Sequence, residues 1–263
     1  MKGTILSIAT ILRVSIVLIL ANISGLATAS TVFFGEDINR REEITGSNST
    51  IRIPHLNGDT AHAAFLSHLQ SVSTETFESF APNTNVSTLT FGTETATLSP
   101  SRPILSNPPP GNPDTLPDGT SQISGNQFLF QDVDVSSFSL SFSRPQTAFG
   151  FYATDIETPG NLTLHFLLAD GISTIDRQVP SQAGTGGLND TGSVLYYGVI
   201  DATNPFIGIS FSRSYLGDVI GFDDFTIGRE IATVPIPSTL WLFSFALAGL
   251  GIIGKGQSSR KPA

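Results

Sequence analysis

The chain has 263 residues, 40% of them hydrophobic and only 13% charged, which is too apolar for a fully disordered protein and long enough to bury a substantial core. Cysteine is absent, which excludes disulfide frameworks, zinc knuckles, iron–sulfur ligation and a cysteine nucleophile. The formal net charge is −9, and all three lysines (Lys2, Lys255, Lys261) lie in the terminal segments; residues 30–232 carry eight arginines against twenty-two acidic side chains, a formal −14, and no nucleic-acid partner is expected.

Residues 1–29 read as an export signal. Lys2 supplies the positive start, residues 14–20 form an apolar run, and Ala27 and Ala29 flank Thr28 as a small-residue cleavage site. Arg13 divides the apolar stretch. An uncleaved anchor is the alternative, weakened by Asn22, Ser24 and Gly25.

Residues 30–73 form an N-terminal extension in which the spacing of apolar residues predicts a short helix over 58–72, with Asp59 or Thr60 as its N-cap. His62 and His68 fall on different faces of that helix, which argues against a joint metal site.

Residues 74–229 are expected to form an all-β, jelly-roll-like β-sandwich. Short runs rich in Phe, Thr, Ser, Val and Ile, punctuated by Gly, Pro, Asn and Asp, predict strands over 74–80, 87–91, 93–98, 127–133, 138–142, 148–153, 161–169, 172–179, 194–200, 206–211 and 219–227. Asp170-Gly171 predicts a two-residue type I′ hairpin turn, and the proline-rich stretch 99–118 predicts a long surface loop.

No G-x-S-x-G, H-E-x-x-H, P-loop or G-x-G-x-x-G motif is present. The carboxylates are the better lead. Asp223 and Asp224 are adjacent in an aromatic strand, so alternation sends them to opposite faces; with Glu78 and Asp155, in similar aromatic frames, they are candidate oxygen ligands for a structural Ca²⁺, solvated carboxylates being the alternative. For sugar stacking, Tyr152 and Tyr197 are the leading candidates, with Tyr196 and Tyr215 behind them, because the one tryptophan, Trp241, lies outside the sandwich.

The C-terminal segment, residues 230–263, has its own logic. Residues 238–254 carry no charge and as a helix would be about 26 Å long, enough to span a thin bilayer. Pro235 and Pro237 stop that helix from starting earlier, and Lys255, Arg260 and Lys261 follow it without any acid, which keeps the tail cytoplasmic and the body outside. A buried core helix is the alternative, disfavoured by the lack of a polar stripe.

V-P-I-P-S-T-L-W-L-F, an apolar span containing glycine and a basic end resemble the PEP-CTERM sorting signal of Gram-negative bacteria. The resemblance implies recognition at Val234, Pro235 and Pro237, a membrane span opening at Trp241, and stop-transfer charges at Lys255, Arg260 and Lys261. Ile236 stands where the naming motif has Glu, and the basic cluster is looser than a run of arginines. The phrases F-E-S-F, A-F-G-F-Y-A-T-D-I-E, L-T-L-H-F-L-L-A-D-G and G-F-D-D-F-T-I-G are similar to those of PEP-CTERM proteins with a lectin-like sandwich body. What the resemblance implies is an exported, non-catalytic protein of the cell envelope or extracellular matrix, handled by an exosortase-type enzyme at the inner membrane and associated with exopolysaccharide. A carbohydrate-binding module is the first alternative and a secreted hydrolase the second.

Overall fold

Alternation of large apolar and small polar residues sets the observed strands: in the segment S-F-S-L-S-F, Phe138, Leu140 and Phe142 are buried while Ser137 and Ser141 face solvent. The computed structural model describes residues 30–39, 54–106, 120–156, 158–183 and 193–231, so the expected export signal and sorting segment lie outside the described residues. Among the described residues no helix is long and apolar enough to cross a membrane.

In chain order the elements are β1 (Thr31–Asp37), α1 (Leu56–Ser67), β2 (Leu69–Glu75), β3 (Asn85–Phe91), β4 (Glu94–Ser106), β5 (Gln127–Gln131), β6 (Ser137–Gln146), β7 (Ala148–Thr154), β8 (Leu162–Leu168), β9 (Thr174–Gln178), β10 (Val194–Ile200), β11 (Phe206–Arg213) and β12 (Ile220–Glu230). Every pairing among these strands is antiparallel. One layer runs β1-β10-β7-β12, with β5 and β2 sharing the far edge of β12; the other runs β3-β4-β6-β11-β8-β9. β4 belongs to both, pairing with β6 through residues 96–99 and with β5 through residues 104–106. Among the described residues the architecture is thus mostly β with one short helix, as expected from the sequence.

The layers meet in an aromatic core. Phe138 and Phe211 stack at 4.4 Å, and Phe211 meets Phe151 of the opposite layer edge-on at 5.4 Å. Each such side chain contributes about 1.5–3 kcal/mol by leaving water. The outer face of the first layer is covered as well: Ala61 and Phe65 of α1 pack on Ala148, Tyr152, Val194, Tyr196 and Ile200, so β7 and β10 are buried on both faces. Gly150 and Gly198, directly paired, leave the space that Phe65 and the Tyr196 ring occupy.

Several local expectations are corrected. The helix starts at Leu56, and its free amides at Asn57 and Gly58 are capped by the Asp37 carboxylate of β1 (3.1 and 3.0 Å) rather than by Asp59 or Thr60. It ends before Leu69, where the chain instead pairs with β12. Residues 99–106 are strand, not loop. Pro100 is tolerated because the β3–β4 ladder is already interrupted there, jumping from Thr88↔Thr97 to Val86↔Arg102, and Pro103 lies just past the interruption, opposite Asn85. Strand β2 stops at Glu75, whose carboxylate accepts the amide of Phe77 at 2.9 Å and holds that residue at φ 62°. The β8–β9 connection is five residues long, because Asp170 Oδ1 accepts the amides of Ile172 and Ser173 (2.9 and 2.8 Å) and so templates a wider loop.

Candidate functional site

β12 contains the first concentration of polar groups. Alternation fails at Asp224, whose φ of 50° inserts a bulge that places Asp224 and Phe225 opposite a gap in the β7 pairing. Phe222 and Phe225 consequently both enter the core, and Asp223 and Asp224 both face away from it, toward the loop at Ser124. The expectation that the two carboxylates diverge is thus overturned by one left-handed residue.

Asp223 is almost fully buried. Its Oδ2 accepts the amides of Ile123 (2.8 Å) and Ser124 (3.0 Å), and Asp224 Oδ1 accepts the Ser124 hydroxyl at 2.6 Å. Burial and the neighbouring Asp224 raise the Asp223 carboxyl well above the usual range; burial raises that of Asp224 too. Glu78 Oε1 accepts the amides of Asn126 and Gln127 at 2.7 and 2.6 Å, holding the next residues of the same loop. Asp155 sits past the end of β7 with its amide bonded to Ser193 O at 3.0 Å. Glu78, Asp155, Asp223 and Asp224 are therefore not gathered into an oxygen cage, and among the described residues no group of three or more His, Asp or Glu side chains is placed to hold a metal ion. The donors that a calcium ion would replace are backbone N–H groups of the 123–127 loop.

Tyr152 and Tyr197 are likewise corrected as sugar platforms, since they are only 1% and 2% exposed. Tyr197 points into the sandwich core beside Phe151, where burial pushes its hydroxyl up to about 12. Tyr152 points at α1, donates to Asp59 Oδ1 at 2.8 Å and lies 3.2 Å from His62 Nδ1. Burial lowers the His62 pKa, keeping the ring neutral against the tyrosines. Alternation in the sequence identifies the two faces of β7 and β10 but not the helix that covers one of them. Tyr215 is the exposed tyrosine among the described residues, at 51%.

Two of the concavities formed by the described residues are open to solvent. One, about 690 Å³, lies between β1 and α1 and is lined mainly by apolar groups including Val32, Phe33, Ala61 and Ala64; its carboxylate, Glu36, is already saturated by Ser181 Oγ and the amides of Gln182 and Ala183. The other, about 500 Å³, is polar and is the stronger candidate for ligand binding. Its walls are β2 at Ser71 and Ser73, the β3–β4 turn at Thr93 and Glu94, β6 at Arg144 and Gln146, and β12 at Arg229.

Two register shifts and a tight turn build this groove. Ser71 adopts φ 54° at a bulge of β2 against β12, Gly92 turns at φ 63°, and β6 makes an excursion where its pairing with β11 jumps from Gly208↔Ser141 to Phe206↔Gln146. Glu94 orders the rim by accepting the Ser143 hydroxyl (3.0 Å) and pairing with Arg144 Nη1 (3.3 Å). None of these residues stands out in the sequence, because they come from four segments that only the register shifts bring together.

No protein-family model and no curated protein matches the chain. Among solved structures it is similar to the K2 cleaved adhesin domain of Lys-gingipain (16% identity, 59% of this chain and 97% of that one, TM-score 0.37). It is also similar to the xylan-binding domain from carbohydrate-binding module family 22 (13% identity, 62% of this chain and 96% of that one, TM-score 0.32). A point mutant of a family 29 carbohydrate-binding module is a further match (17% identity, 46% of this chain and 92% of that one, TM-score 0.28). At these scores the likenesses carry no residue or ligand over to this chain.

Proposed function

We propose that this chain is an exported, non-catalytic carbohydrate-binding protein of the cell envelope or extracellular matrix. The observation that carries the binding reading is the polar groove of about 500 Å³. Hydroxyls, an amide, a carboxylate and two guanidinium groups on strands and one hairpin turn form the mixed donor and acceptor set that vicinal sugar hydroxyls require. Against hydrolysis, the groove holds a single carboxylate, Glu94, whereas glycoside cleavage uses two across the scissile bond. The conspicuous pair, Asp223 and Asp224, is buried beneath the 123–124 loop and already occupied by its donors.

The sorting part of the proposal is supported by Val234, Pro235, Pro237, Trp241 and the basic end, with an exosortase-type enzyme and the inner membrane as partners and exopolysaccharide as the ligand source. Full-length chain applied to a panel of immobilised polysaccharides should be retained on at least one without releasing reducing sugar. Retention on none rejects the binding reading, and release of reducing sugar rejects the non-catalytic one. Mass spectrometry of the protein from its native host should show loss of residues 1–29 and a change at the Pro235–Pro237 element; an intact, unmodified chain rejects the sorting reading.

A further inference from the structure

The groove of about 500 Å³ has a charge character opposite to that of the molecule around it. Of the eight arginines in residues 30–232, Arg102 and Arg213 are buried, and Arg177 is half-buried and donates to Ser30 Oγ. Among the described residues the exposed arginines are Arg144 and Arg229, and both line this one groove. No lysine lies among the described residues, so these two guanidinium groups are their exposed permanent cations. Arg144 keeps 69% of its side chain in water although one of its nitrogens meets Glu94, and Arg229 has no side-chain partner among the described residues.

Two exposed cations in a strongly acidic surface have abundant carboxylates with which they could pair for solubility alone. Here both line one recess, where Glu94 meets a single nitrogen of Arg144 and the backbone is bent at Ser71, Gly92 and β6. Bulges and left-handed residues persist where they re-aim side chains at a functional surface. A guanidinium offers a planar fork of donors that matches a carboxylate two bonds at a time, while Ser71, Ser73 and Thr93 offer hydroxyls for the polar edge of a neighbouring sugar ring. At physiological ionic strength screening acts over about 8 Å, so the general acidity of the body does not cancel a contact made inside the groove.

We infer that this groove selects an acidic polysaccharide, with Arg144 and Arg229 taking the carboxylates of uronic-acid units and Glu94 fixing the orientation of Arg144. This rests on the carbohydrate-binding reading above and names its ligand class.

The test uses the full-length chain and calorimetric titration at low and physiological salt, with polygalacturonate, neutral dextran and poly-glutamate as probes. Polygalacturonate should bind, more weakly as salt rises, and poly-glutamate and dextran should bind at least about tenfold more weakly. Arg144→Ala and Arg229→Ala should each weaken polygalacturonate binding about tenfold, the magnitude of one charge-assisted hydrogen bond. Arg144→Lys, which keeps the charge and loses the fork, should fall between. Ile172→Ser, on the exposed β8–β9 loop, should leave binding unchanged and serves as the folding control. Polygalacturonate affinity unaltered in both arginine variants overturns the assignment, as does equal binding of poly-glutamate. Dextran binding as tightly as polygalacturonate overturns the inference and leaves carbohydrate binding standing. Failure of both saccharides overturns the inference, and blank results across the polysaccharide panel remove the carbohydrate reading itself.

Discussion

Asp224 shows how much a single backbone angle decides. At φ 50° it converts a strand that would bury Phe222 and expose Phe225 into one that buries both, and it brings two carboxylates to one side of the sheet. The cost is electrostatic. A carboxyl whose folded-state pKa is raised binds more protons in the folded than in the unfolded chain, so its contribution is fully present below the ordinary carboxylate range, about 3.9, and is lost as pH rises through the folded value. Asp223 and Asp224 both shift that way. His62 shifts in the opposite sense, its lowered pKa eroding stability as pH falls below about 6.5. Asp224→Asn keeps an acceptor for the Ser124 hydroxyl, suits the left-handed conformation and removes one of two like charges. It should raise the melting temperature at about pH 8 more than at about pH 5. A melting-temperature difference from wild type that is the same at both pH values would refute the coupling.

At the scale of elements, the packing of α1 on the first layer is the most exacting contact. A Cβ on Gly198 would lie 2.7 Å from Phe65 Cδ2, and the Phe65 ring is itself wedged against Phe33 and Tyr196. Gly198→Ala should therefore destabilise the protein by about 1–3 kcal/mol through overpacking. Combining it with Phe65→Leu should cost less than the sum of the two single changes, as measured by urea unfolding. If the two changes simply add, the steric account fails.

Elements also differ in how openly the sequence declares them. β6, with Phe138, Leu140 and Phe142 separated by serines, carries its period on its face, and β10 is legible to the residue as 194–200. β1 escapes a reading of the sequence, since T-V-F-F-G-E-D shows no clean alternation and its role depends on pairing with β10, far along the chain. The start of α1 is hidden because its cap comes from Asp37, a residue of another element. The groove is invisible for a related reason: a register shift is a relation between two strands, and no window on one strand contains it.

On the scale of the whole molecule, the pairings that close the first layer join distant parts of the chain. Thr31 pairs with Ile200 and Leu69 with Glu230, so loop closure must precede any gain from these contacts. Refolding should be slow for the size, on the order of milliseconds to seconds, and unfolding should be a single transition because β4 is shared by both layers. β12 is the keystone: it pairs with β7 on one side and with β5 and β2 on the other. A chain ending at Ile231 should resist proteolysis, whereas one ending at Asp218 should be digested throughout, and equal resistance of the two would contradict this account.

That position of β12 constrains timing. The strand that fills the middle of the first layer is the last of these strands the ribosome makes, so a growing chain has nothing to lock around until nearly every residue of the body has appeared. Such a polypeptide stays pliable for most of its synthesis, and its architecture snaps shut only when the final strand arrives.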